Sequence, residues 1–121
     1  MLDPLTAYLL IAQRQYEDNG LAGSYNVGPD VCDCLTTGDL ADLFCNAWGK
    51  PARWECAGFS GPHEDAVLKL ECSKIRAVLG WQPKWHADRA VAETVAWAKE
   101  WLGGQDVVHC MEQQIKMVFE A

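Results

Sequence analysis

The chain has 121 residues, half of them hydrophobic and six of them Trp, so its composition excludes disorder and is enough for one core. A formal charge of -7 excludes nucleic acid and anionic membranes as partners held by bulk electrostatics, and any phosphate-bearing ligand would need a local cationic pocket. The apolar start, Met1 to Ile11, is interrupted by Asp3-Pro4, lacks a preceding basic segment and falls far short of the ~20 residues of a membrane span, so it reads neither as a signal peptide nor as a span.

Asp3-Pro4 reads as a cap followed by Pro at the first helical position. Leu5, Tyr8, Leu9, Ala12 and Tyr16 then recur at helical spacing, which predicts a helix to about Asp18 that stops at Asn19-Gly20. Ser24 to Gly28 reads as a short strand ended by Gly28-Pro29. Thr36 or Thr37 caps a second helix, with Leu40, Leu43, Phe44 and Ala47 as its buried stripe and Gly49-Lys-Pro51 as its end. Arg53 to Ala57 alternates like a strand, Ala57 to Asp65 reads as a loop, and Val67 to Glu71 as another strand. A third helix starts at Ser73 and closes at Gly80. The longest helix is expected over Ala87 to Leu102, and a weak terminal one over Met111 to Phe119.

Six cysteines without a secretory signal read as the reduced thiols of a cytosol. Cys32-Asp-Cys34 invites a metal reading. Zinc pairs are normally two to four residues apart, however, and neither a second pair nor a neighbouring His completes a site. Isolated thiols on core faces are the expectation, with no metal.

Four signals in a fixed order carry a resemblance. They are Asp3-Pro-Leu-Thr-Ala-Tyr-Leu9, Tyr25-Asn-Val-Gly28, the unit Leu68-Lys-Leu-Glu-Cys-Ser-Lys74 with Leu79-Gly-Trp-Gln-Pro-Lys84, and a Trp-rich closing helix. Together they resemble the C-terminal part of the extended short-chain dehydrogenase/reductase family, the NAD-dependent epimerases and dehydratases of nucleotide sugars. Within that family, Leu2-Asp-Pro-Leu5, Pro62-His-Glu64 and Gln113-Gln-Ile115 bring the chain nearest to the 4,6-dehydratases acting on CDP-glucose. The resemblance implies an α/β fold, the small substrate-binding lobe of such an enzyme, with about four helices and two or three short strands in a single partial domain over 1–121. The strand near 24–28 would belong to the sheet of a Rossmann domain that the chain does not contain. Its unpaired edge, with the apolar face of the first helix, predicts self-association or a rearranged N-terminal region.

The residues that would do the chemistry are missing. No Gly-x-Gly-x-x-Gly follows a strand, so no pyrophosphate site is arranged for NAD. No Tyr-x-x-x-Lys is present either, since Ala12, Gly20 and Pro29 stand four residues after Tyr8, Tyr16 and Tyr25. Dehydratase activity from this chain alone is not expected, and no catalytic or cofactor-binding residue is assigned. By resemblance, His63 and Glu64 face the nucleotide. His63 would donate to a phosphate, and Glu64 would accept from a ribose hydroxyl or the cytosine amine. Asn26 reads equally as an inward-turning group at the cofactor-domain boundary and as a structural amide. Lys74, Arg53 and Lys69 read as solvated charges, and Trp81, Trp85, Trp97 and Trp101 as packing.

Two readings of different class stay open beside the substrate lobe that contributes CDP-sugar binding to a full enzyme. One is a stand-alone sugar-nucleotide binding module. The other is a protein-interaction domain that shares only the Leu-Gly-Trp turn.

Overall fold

The computed structural model describes residues 2–58 and 69–120. Helix α1 (Leu2–Glu17) begins one residue before Asp3, so Asp3 lies inside its first turn and does not cap it. The Asp3 carboxylate instead accepts the backbone amides of Lys84 (2.8 Å) and Trp85 (3.3 Å), tying α1 to a segment 81 residues away. A 3-10 turn (Asn19–Leu21) follows, with the Asp18 side chain taking the Gly20 amide. A second 3-10 turn covers Val31–Asp33.

Helix α2 (Thr37–Trp48) is capped by Thr36, whose hydroxyl accepts the Asp39 amide while Asp39 takes the Thr36 amide, a reciprocal capping box. Helix α3 (Ser73–Leu79) ends at Gly80, whose φ of 68° is the left-handed cap that a side chain would strain. Helix α4 (Ala87–Leu102) has the expected bounds. Helix α5 (Val107–Phe119) starts earlier than Met111, because Asp106 supplies an N-cap by accepting the Val108 amide at 2.9 Å.

The expected α/β class is corrected: among the described residues there are five α helices and two 3-10 turns, with no strand. The segments 24–28, 53–57 and 69–71 carry strand-like patterns but form no ladder, and the rest of the third expected strand lies outside the described residues. A ladder needs a backbone partner, and among the described residues none of these segments has one. Segments 24–28 and 70–72 do run against each other, but through a side chain: the Asn26 amide donates to the Glu71 carbonyl at 3.0 Å. Gly28 permits the approach, since a Cβ there would meet Cys72 Sγ at 3.3 Å and Leu70 Cβ at 3.4 Å.

Ala7, Cys72, Ile75, Leu79 and Trp81 form the core, with Leu10, Ile11, Leu21, Tyr25 and Val27 against them. The face of α1 that is buried is therefore not the one expected. Ala7 is fully buried, while Tyr8 and Leu9 are about 60% exposed and Tyr16 is 93% exposed. Leu5 to Ala12 is apolar on nearly every side apart from Thr6, so periodicity alone cannot choose a face. The small Ala7 allows the closer approach to α3. The α2 stripe is likewise only half covered, with Leu40 and Phe44 exposed. Helix α4 packs on α2 and α5, with Val95, Cys110 and Val118 buried in that second layer.

Leu5, Tyr8, Leu9 and Tyr16 leave apolar surface uncovered on the outer side of α1. The chain is expected to self-associate as its concentration rises. Light scattering on a Tyr8→Glu, Leu9→Glu double variant should give a monomer, with stability changed by less than about 0.5 kcal/mol per exposed position. A wild type that stays monomeric at high concentration would overturn this.

Candidate functional site

The end of the molecule where α1, the segment 27–33 and the start of α4 meet carries the most built polar geometry. A cavity of about 250 Å³ lies there, walled by Pro4, Val27, Trp81, Pro83, Trp85 and Ala90, with Asp3 and Asp33 at its edge. Trp81 is buried and donates its indole N–H to the Thr6 hydroxyl at 3.0 Å. Trp85 lines the cavity and faces the Arg89 guanidinium at 5.9 Å.

At the rim, His86 Nδ1 lies 2.8 Å from Asp33 Oδ2, and the other Asp33 oxygen accepts the Ala87 amide at 2.9 Å. Asp33 thus bonds the first turn of α4 and orients the imidazole that precedes it. Partial burial works against the charged Asp33 carboxylate. The Ala87 amide and His86 outweigh it and hold the carboxyl below the usual value. The hydrogen bond and then the charge of Asp33 push His86 up. Cys32 Sγ reaches the same pair, 3.7 Å from Asp33 Oδ2 and 3.9 Å from His86 Nδ1. Slight desolvation and then the Asp33 charge raise its thiol. Both Cys32 and Asp33 approach one nitrogen, so the three cannot work as a nucleophile–base–orienter relay, which needs the two ring nitrogens separately.

The sign of the pair's pH dependence follows from these directions. His86, raised above 6.5, contributes stability that is complete below 6.5 and lost as pH rises through its folded value. Asp33, lowered below 3.8, contributes stability present above 3.8 and lost as pH falls through its folded value. The melting-temperature difference between wild type and His86→Ala should therefore be largest between about pH 4 and 6.5 and shrink above that. A difference that grows from pH 6.5 to 8 would contradict it.

His63 and Glu64 lie outside the described residues. Asn26 is exposed and bonded to the Glu71 carbonyl, which gives its amide a structural bond. Lys74 is more than a solvated charge: its ammonium donates to the Ser24 carbonyl at 2.9 Å and sits 4.6 Å over the Tyr25 ring. Arg53 is exposed and pairs loosely with Glu55 at 3.9 Å.

Free amides at a helix N-terminus are where a pyrophosphate binds, and at four helix starts one such amide is taken by a carboxylate of the chain itself. Asp39 takes the Thr36 amide at α2, Glu71 the Ser73 amide at α3, Asp33 the Ala87 amide at α4 and Asp106 the Val108 amide at α5. The Thr36 and Ser73 side-chain bonds hold the Asp39 and Glu71 carboxyls below their usual values, so these acids stay charged at neutral pH. At α2, α3 and α5 the acid lies beside the helix start in sequence, whereas at α4 it is Asp33, 54 residues away, which no local motif reveals. No helix among the described residues is long and apolar enough to cross a membrane.

No family model matches the chain. It is 35% identical over 116 residues to the CDP-glucose 4,6-dehydratase of Salmonella typhimurium, a match that takes in 95% of this chain and 32% of that protein, in its C-terminal part. The chain thus spans about a third of the length of this curated relative.

Proposed function

We propose that this chain, which is homologous to the C-terminal part of CDP-glucose 4,6-dehydratase, supplies the nucleotide-sugar side of such an enzyme and none of its chemistry. The whole enzyme would convert CDP-glucose to CDP-4-dehydro-6-deoxyglucose on an NAD held by a Rossmann domain outside these residues. The observation that carries this reading is the 35% identity sustained over 116 residues, nearly the full chain. Two further observations support it. The sequence holds neither Gly-x-Gly-x-x-Gly nor Tyr-x-x-x-Lys, and at four helix starts a carboxylate takes one of the amides that a phosphate would use. The uncovered outer face of α1 is a surface on which a cofactor-binding domain would sit, whether it is part of the same polypeptide or a separate one.

In this reading His63 donates to a phosphate, and Glu64 accepts from a ribose hydroxyl or the cytosine amine. Calorimetric or fluorescence titration with CDP, UDP and dTDP tests it. CDP should bind most tightly, and His63→Ala and Glu64→Gln should each weaken it by about 1–3 kcal/mol, the cost of a lost charge-assisted bond. Equal affinity for the three diphosphates, or none for any, would overturn the nucleotide assignment and favour an interaction module instead.

A further inference from the structure

The rim cluster has a geometry that neither the capping of α4 nor the nucleotide proposal uses. Cys32 Sγ, Asp33 Oδ2 and His86 Nδ1 form a triangle with edges of 3.7, 3.9 and 2.8 Å, and all lie within 4.8 Å of one another. Donors bound tetrahedrally at 2.0–2.3 Å stand about 3.3–3.6 Å apart, so the two sulfur edges are within a few tenths of an ångström of one face of a zinc tetrahedron. The His86–Asp33 edge would open by about 0.5 Å as their hydrogen bond gives way to the metal.

Each donor is placed by backbone structure. The 3-10 turn Val31–Asp33 is closed by the Asp33 amide on the Asp30 carbonyl at 2.9 Å, and Asp30 is itself paired with the Arg76 guanidinium. This turn sets Cys32 and Asp33 side by side. The Ala87 amide holds Asp33 Oδ1, leaving Oδ2 to point at the ring, as an outer partner orients a ligating carboxylate. His86 occupies the N-cap position of α4 without capping it through its side chain, so its imidazole is not engaged by its own helix. The His that the sequence lacked beside Cys32-Asp-Cys34 thus arrives from 54 residues away.

We propose that Cys32, Asp33 and His86 bind a divalent transition metal, zinc by preference, through Sγ, Oδ2 and Nδ1. One sulfur, one imidazole and one carboxylate are a borderline donor set that suits Zn²⁺ and not Mg²⁺ or Ca²⁺, which take oxygen ligands. On binding, the Cys32 thiol releases its proton to solvent and becomes a thiolate, and Nδ1 gives up its proton to solvent or to Nε2. Cys32 and His86 are both exposed, so the fourth position faces solvent and is filled by water. The metal would fasten the 31–33 turn to the start of α4 in place of the hydrogen bond between His86 and Asp33.

Cobalt titration of the chelator-treated chain tests this, because a Co²⁺–thiolate bond gives a charge-transfer band that carboxylate or imidazole ligation does not. One equivalent of Co²⁺ should produce the band, and Zn²⁺ should displace it. Cys32→Ser should abolish the band, and His86→Ala should weaken Zn²⁺ binding by more than about tenfold. Neither side chain is in the core, so both variants should keep the wild-type far-UV circular dichroism. The exposed thiol at Cys56 is the control: Cys56→Ser should leave the band intact. A band that survives in Cys32→Ser, or that disappears in Cys56→Ser, would show an adventitious surface thiol and overturn the site. Unchanged zinc affinity in His86→Ala would do the same.

Discussion

Trp81→Ala is expected to leave the chain with about 0–2 kcal/mol of stability at room temperature, on the edge of unfolding. The indole is 6% exposed, sits in the same cluster as Ala7, Ile75 and Leu79, and donates to Thr6, so it joins α1 to the turn that ends α3. Removing a buried Trp costs about 3–5 kcal/mol through lost transfer energy and the cavity left behind. Small domains have roughly 5–15 kcal/mol in total. With so few buried side chains this one sits near the bottom of that range. Urea unfolding followed by far-UV circular dichroism measures the loss, and Trp81→Phe, which keeps a ring but not the bond to Thr6, should fall between the two. A Trp81→Ala unfolding free energy within about 1 kcal/mol of wild type would mean that the core lies elsewhere.

Asp3→Ala should cost about 2–4 kcal/mol, the second-largest single effect. Its carboxylate satisfies the Lys84 and Trp85 amides, and hydrogen bonds to a charged group contribute about 1.5–3 kcal/mol each, less for the longer one. Loss of both would free the 81–85 segment from α1 and open the cavity between them. Asp3→Asn keeps one acceptor oxygen and should cost about half as much. Hydrogen exchange at Lys84 and Trp85 reads the local effect directly: their protection should fall in Asp3→Ala while that of α2 is unchanged. Equal loss of protection throughout would mean that Asp3 acts on global stability only.

The sequence made the helices legible because their punctuation is local. Gly80 and Gly49 mark ends, and Thr36 with Asp39 marks a start, each through bonds within four residues. The α4 bounds follow from its apolar periodicity and the Gly103-Gly104 that closes it. What failed was long-range. The face that α1 buries depends on α3, and the strand-like pattern of 24–28 meets no ladder partner among the described residues. Asp3 looked like a cap because its short-range context fits one, yet its partners lie 81 and 82 residues on. The cluster at Cys32 was missed for the same reason, since His86 is distant in sequence. The relationship to the nucleotide-sugar dehydratases was legible because it rested on several short motifs in order, which survive without any knowledge of packing.

The central claim is that this chain complements a cofactor-binding domain and does not act alone. Mixing it with the N-terminal two-thirds of the Salmonella relative, NAD and CDP-glucose, and following formation of the 4-dehydro sugar, tests that most directly. Neither part should turn over by itself, the mixture should associate and form product, and Tyr8→Glu with Leu9→Glu should abolish both association and turnover. Product formed by this chain alone, or a wild-type chain that does not associate with that portion, would contradict the account.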